Sequence, residues 1–420
     1  MRLRRLRREY FEREEAMRGL WYGYVAAPVI GALWLFVLAV TVAVVVSFAT
    51  GQAVRPSFTG CLVWGALAGA VLVWGQFHRA AVFGAAAAVF VLGLVPFGYL
   101  ATPLVAAQTT LPFSALVISV SFVISFAKIA RDMPFGMMTR HVFEAAVIRF
   151  LTGFGYIFFT AIVAIPFYVM LMTSLKNQSE LLQNPLDFSI DLSQGWGLFR
   201  SYSELFGDFN FGTYMLNSFV ISVLTVLITL LFSVPGAYAV ARLRFKGQSV
   251  FSRSILLIYM VPVIVLALPI YIAFSITGLR NTILGILLIY PVTTIPVALY
   301  MLQGYFRGLP YEIEEAGLMD GLSRLAVIWK ITLPLSLPAL ASVSLYVFMI
   351  AWNEFLLAFM LLDDPSKFTL TRGIASLNSS EIPRQHLMAG SVVATVPIML
   401  LFLGLERFMT KGLTAGSVKG

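Results

Sequence analysis

Ten apolar stretches of about bilayer length, nine of them uncharged, succeed one another along the 420-residue chain. A helix needs about 20 apolar residues to cross the hydrocarbon. Only helices and closed barrels satisfy all their backbone groups there. The runs are Trp21 to Phe48, Gly60 to Phe77, Ala80 to Leu100, Thr110 to Ala127, Phe150 to Met172, Tyr214 to Ala241, Ile255 to Phe274, Asn281 to Leu302, Pro338 to Leu361 and Leu387 to Leu405. This series specifies an all-α, polytopic membrane protein of about ten transmembrane helices. Composition agrees, with 12% charged residues where a soluble domain has about 25%.

The chain opens on MRLRRLRR, which has the charge of a secretory n-region. The apolar run behind it is far longer than a signal sequence carries and lacks a clear small-residue cleavage site, so it reads as a retained span. With the N-terminus in the cytoplasm and all ten runs crossing, only Arg55, Lys176, Arg200, Arg280, Lys367, Arg372 and Arg384 of the 29 basic residues fall outside. That bias supports cytoplasmic N- and C-termini. It also accounts for the net charge of +9 better than nucleic acid would, because no basic face interleaved with aromatics stands on a soluble segment.

Chemistry of the chain's own is not visible. There is no phosphate-binding G-x-x-x-x-G-K-[ST], no H-E-x-x-H and no G-x-S-x-G. His78, His141 and His386 are scattered, giving no metal-ligand spacing, and Cys61 has no second cysteine to pair with. The sequence thus predicts no catalytic residue, no metal and no cofactor in this chain.

Composition shifts near Lys128 to Arg149, after which the outer loops lengthen and Pro235, Pro262, Pro269, Pro291 and Pro296 stand inside spans. A boundary there gives an N-terminal membrane extension of about four helices (1–149) and a six-helix core (150–420). Intramembrane prolines free backbone carbonyls, so they gather where helices kink, around a path or for packing alone. Gly65 and Gly69 form a GxxxG pattern that would let another helix approach closely.

Between two spans stands EEAGLMDGLSRLAVIWKITLPLSLP, Glu314 to Pro338. Pro310 suits the first residue of a helix, and Glu312, Glu314 and Glu315 favour its N-terminal turn. Glu312 and Glu314 read as solvated charges. Ala316 and Gly317 keep one side thin enough for another protein to approach, and Gly321 suits the left-handed end. The expectation is a short acidic helix at about 309–321, either docking into a partner or serving as an interfacial linker.

Glu315-Ala316-Gly317, three residues, Gly321, nine residues and Ile331-Thr332-Leu333-Pro334 resemble the EAA signature of permease subunits of binding-protein-dependent ABC importers. The one departure is Gly317 for the second Ala, which lowers helix propensity by roughly 1 kcal/mol. NFGTYMLNS (Asn210 to Ser218), ARLRFKG (Ala241 to Gly247), GLRNTILG (Gly278 to Gly285), AWNEF (Ala351 to Phe355) and GLTAGSVKG (Gly412 to Gly420) are similar to the carbohydrate branch of that family, which includes the second permease of maltose and α-glucoside importers. The likeness runs from about Phe150 to the end and leaves the first four spans unexplained.

The resemblance implies a type I importer core in a prokaryotic inner membrane, with a second permease subunit, two cytoplasmic ATPase subunits that hold ATP and Mg, and an extracytoplasmic solute-binding protein. It makes the acidic helix a coupling helix seated in an ATPase subunit, with Glu315, Ala316, Gly317, Asp320 and Gly321 at the contact and Lys419 reaching the ATPase pair through the tail. The substrate implied is a sugar, an oligosaccharide or α-glucoside. A permease for polyamine or glycerol phosphate and an ATP-independent channel or scaffold stay open as alternatives.

Glu354 is the one ionisable residue well inside a span, following Trp352 and Asn353. A charge at membrane depth faces a cavity or a partner, and near the outer end it can also reach water beside a Trp of the aromatic belt. Trp352, Asn353 and Glu354 are therefore candidates for the solute path or for a structural or gating role. Tyr259, Tyr271 and Tyr290 could offer ring faces to a sugar. The cytoplasmic Arg cluster at the start would attract anionic lipid.

Overall fold

The structure, a computed structural model, describes residues 22–75, 78, 84, 104–105, 111–184, 187, 189–259 and 261–414. The run Ala80 to Leu100 therefore lies outside the described residues apart from Gly84. The chain divides into two compact units, Met1–Met172 with Ser179–Ser193, and Thr173–Gln178 with Gln194–Gly420.

The first unit holds α1 (Gly23–Thr50), β1 (Arg55–Pro56), α2 (Phe58–Trp74), β2 (Leu104–Val105), α3 (Leu111–Ile129), α4 (Arg140–Ser174, extending two residues past it) and α5 (Gln178–Gln183). Helix α1 ends where Gly51 takes φ 68, and Ser57 starts α2 by accepting from the Gly60 N–H at 3.2 Å. The two helices meet along their glycines. A Cβ added at Gly65 would lie 2.5 Å from the Gly31 carbonyl oxygen, and one at Gly69 would lie 2.6 Å from that of Ala27. The GxxxG pattern is thus used inside the chain, where backbones in lipid gain by close packing. Helix α3 closes the core, with the Trp34 indole N–H donating to Ser125 Oγ at 2.7 Å and Phe122 and Phe126 fully buried. The two short strands pair antiparallel. Helix α4 is one unbroken helix through position 149. It starts at Arg140, and its apolar middle is exposed on this chain.

The second unit holds α6 (Arg200–Gly207), α7 (Phe211–Arg242), α8 (Gln248–Tyr259), α9 (Val263–Ile276), α10 (Ile283–Gly308), α11 (Tyr311–Met319), α12 (Arg324–Val327), α13 (Leu333–Leu335), α14 (Leu337–Asn353), α15 (Leu356–Leu361), α16 (Leu370–Ser376) and α17 (Arg384–Thr414). A π-helical turn, Ile328–Thr332, joins α12 to α13, and the chain bends by 77° before α14. Helices α7 and α10 pack closely. Ser218, Ser222, Thr225, Thr229 and Ser233 are buried along one face of α7, and the Thr229 and Thr294 hydroxyls are 2.7 Å apart. Such bonds hold helices together where apolar burial gives no net drive.

Two expected spans are broken. The run Ile255 to Phe274 is α8 and α9, because Pro262, extended at φ −63 and ψ 127, lacks the N–H to continue a helix. The run Pro338 to Leu361 is α14 and α15, interrupted at Glu354. Two asparagines in the family-like segments take left-handed φ, Asn210 at 55° and Asn281 at 56°, a region that Asn tolerates better than most residues. Asn217 Nδ2 and Ser218 Oγ tie α7 to the segment that leads from α15 into α16, at Ser366, Phe368 and Leu370.

Gly65→Val should overpack the α1–α2 contact and lower the unfolding midpoint of the detergent-purified chain by a loss of about 2 kcal/mol. An unchanged midpoint would contradict this packing.

Candidate functional site

The acidic segment folds as expected, with its bounds shifted slightly. Pro310, at φ −59 and ψ 131, is the cap residue and Tyr311 the first residue of α11. At the other end Gly321 has φ 84. The Leu322 N–H donates to Gly317 O and the Gly321 N–H to Leu318 O, each at 3.1 Å, the paired bonds of a Schellman end. Ser323 then caps α12 by accepting from the Ala326 N–H at 3.3 Å.

Two faces of α11 differ sharply. Glu312, Glu315, Ala316, Met319 and Asp320 are exposed at spacings of three and four, hence on one side of the helix. Met319 is 88% exposed, and Leu325 beyond the turn is 71% exposed. Glu314 and Gly317 are buried on the opposite side. Of the expected contact residues, Glu315, Ala316, Asp320 and Gly321 lie exposed, while Gly317 does not. An added Cβ there would meet Ile331 Cδ1 of the same chain at 2.5 Å, so its small size serves the packing of α11 on the π turn.

Glu314 corrects the sequence reading most directly, for it is not a solvated charge. The Tyr238 hydroxyl donates to its Oε2 at 3.2 Å and the Thr332 hydroxyl to its Oε1 at 3.0 Å. Arg242 Nε lies 3.5 Å from Oε1. The Arg242 side chain is 2% exposed, donates from Nη2 to Leu309 O at 2.7 Å and lies 4.0 Å over the Tyr311 ring. The sequence had offered Arg242 only as an inside charge in ARLRFKG. Its pairing spans 72 positions and had no local signal.

The candidate solute residues take structural positions. Trp352 is buried, stacks on Phe348 with centroids 5.5 Å apart and donates from Nε1 to Ala394 O at 3.1 Å. Exposed Asn353 donates back to Met349 O at 2.9 Å. Glu354 caps α15, accepting from the N–H groups of Leu357 at 2.7 Å and Ala358 at 3.1 Å, with the buried Tyr290 ring beside it. Tyr271 lies 4.8 Å under the Arg280 guanidinium, which also pairs with Asp363 at 2.5 Å. Lys419 and the side chain of Tyr259 lie outside the described residues.

At the start of α17, Glu204 of α6 pairs with Arg200 at 2.6 Å and meets buried His386 Nε2 at 2.8 Å. The Arg200 hydrogen bond first, and the His386 contact second, hold its carboxyl below the usual range.

A model of the family described as binding-protein-dependent transport system inner membrane component matches residues 233–414. The inner membrane ABC transporter permease protein YcjP of Escherichia coli (strain K12) is 39% identical over 269 residues, covering 63% of this chain and 95% of that protein. The trehalose/maltose transport system permease protein MalG of Thermococcus litoralis is 34% identical over 282 residues, covering 66% of this chain and 99% of that protein. The diacetylchitobiose uptake system permease protein NgcG of Streptomyces coelicolor is 31% identical over 266 residues, covering 63% and 86%. A chain from the crystal structure of a bacterial ABC transporter involved in the import of the acidic polysaccharide alginate has a similar fold, with TM-score 0.55 and 23% identity over 64% of this chain and 98% of that one.

A carboxyl with a lowered folded pKa contributes stability above its unfolded pKa, near 4, and loses it as pH falls through the folded value. Acidification below about pH 4 should therefore release α6 from α17, read as faster amide exchange in α6. Glu204→Gln should flatten that acid limb, and an unchanged limb would contradict the assignment.

Proposed function

The chain belongs to the inner membrane components of binding-protein-dependent transport systems, and from that membership we propose that it is the permease subunit of an ATP-driven sugar importer. It is a multi-pass inner membrane protein and a transport subunit rather than a catalyst. The substrate names carried by its relatives, trehalose, maltose and diacetylchitobiose, support an oligosaccharide or α-glucoside as the solute.

One observation supports the coupling role above the rest. Helix α11 presents Glu315, Ala316, Met319 and Asp320 on one exposed face while Glu314 and Gly317 fix the other to the spans. An acidic rim around an apolar Met suits a socket with basic walls and an apolar floor, since exposed apolar side chains clustered with charge mark interaction surfaces. In this reading the socket belongs to a cytoplasmic ATPase subunit, which holds ATP and Mg. A second permease completes the path, and an extracytoplasmic binding protein delivers the sugar.

Both termini stand in the cytoplasm, and residues 1–149 are an extension added to the permease core of 150–420. Glu354 and Trp352 brace the outer half of that core. Asn353, exposed beside them, is the residue of that group best placed to meet solute. The tail carrying Lys419 extends the contact with the ATPase pair.

Purification from the native membrane in mild detergent should recover an ATPase subunit and a solute-binding protein, identified by mass spectrometry. The binding protein can then be screened against trehalose, maltose and diacetylchitobiose. Glu315→Lys should abolish ATPase recovery while the chain still inserts. Recovery of neither partner with an intact, monodisperse chain would overturn the reading in favour of a channel or scaffold.

A further inference from the structure

We infer that Arg242 and Glu314 are the joint that makes α11 and α7 move as one body, a pair of positioning residues beneath the docking face. The inference rests on the coupling role proposed for α11 and names how its motion enters the spans.

A docked helix transmits movement only where it is held. The backbone link at Leu309 and Pro310 is extended, with ψ 143 and 131, and would by itself let α11 swing about the end of α10. Arg242 spans that link. From the last turn of α7 it grips Leu309 O, covers the Tyr311 ring and faces the Glu314 carboxylate. Tyr238, one turn earlier on α7, donates to the other carboxylate oxygen.

Thr332 completes the arrangement from the π turn that leads into α14. One carboxylate thus gathers donors from α7 and from the approach to α14. A π turn inside a helical segment often marks a functional position, and here it delivers the hydroxyl that Glu314 accepts.

A buried ion pair is weak evidence of stability, because well-packed apolar residues often serve as well. What an ion pair adds is one defined geometry. Arg242 Nε and Nη1 are buried and donate no hydrogen bond among the described residues. Arg242 therefore meets Glu314 by charge, at 3.5 Å, while its hydrogen bond goes to Leu309 O.

The test uses the full chain, assembled with its ATPase subunit, carrying nitroxide labels on Ile313→Cys and Phe232→Cys, both exposed, with Cys61→Ser. The label on Phe232 reports α7 and that on Ile313 reports α11. The separation should stay fixed between nucleotide-free and ATP-bound complexes, and Glu314→Gln should lose that fixity, giving an ATP-dependent shift or a broadened distribution. Glu314→Asp, which keeps the charge, should restore a fixed separation, and it decides the matter if Glu314→Gln does not fold.

An ATP-dependent change in the unsubstituted joint would overturn the inference, as would a Glu314→Gln distance distribution matching that of the intact pair. Failure of the coupling role itself shows separately, as an intact chain that retains no ATPase subunit before any joint residue is altered.

Discussion

A carboxylate taken out of water beneath a helix has to be met by donors, and the end of this protein where α7, α11 and the approach to α14 meet is arranged around meeting one. Leaving such a charge alone would cost several kcal/mol. Tyr238 and Thr332 supply the donors for Glu314, and the Arg242 guanidinium supplies the opposite charge. To do so, the end of α7, the start of α11 and the π turn before α14 must converge on one point. Once they converge, the outward face of α11 is also decided. Glu315, Ala316, Met319 and Asp320 are the residues a helix so held leaves free to meet something else.

The same demand explains the breaks in the membrane region. A helix interrupted at bilayer depth exposes backbone N–H groups that lipid cannot satisfy. At Glu354 the carboxylate itself accepts the first N–H groups of α15, and the Thr371 hydroxyl donates to its backbone carbonyl at 2.6 Å. The charge there completes a broken span. Between α7 and α10, and between α1 and α2, small and hydroxylated residues bring backbones together, the means left to helices surrounded by apolar solvent.

How much of this could be read in the sequence follows the range of each interaction. The six runs that fold as single long apolar helices among the described residues were legible because length and absence of charge are local properties. The acidic helix was legible for the same reason, since its cap, first-turn acids and terminal Gly321 lie within a dozen positions. The break at Pro262 was legible as a proline and not as an interruption, because a proline in a membrane helix produces either outcome. Which of Glu314 and Glu315 faces inward was not legible. That choice depends on Arg242 and Thr332, distant in sequence and brought close only by folding. Gly317 was expected to admit a partner and instead admits Ile331, which stands fourteen positions along the same chain. Trp352 carried the signature of an interfacial aromatic, yet its indole is buried against Phe348 and α17.

Under the proposed function, the exposed face of α11 is where the chemical energy of a partner enters this subunit. Photo-cross-linking from a single cysteine tests it most directly, since the native Cys61 is buried and can be replaced by Ser. A benzophenone placed on Met319→Cys, in the complex with its ATPase subunit, is expected to label that subunit, and one on buried Val327→Cys is expected to label none of it. Labelling from both positions alike, or from neither while the ATPase subunit remains bound, would contradict the account.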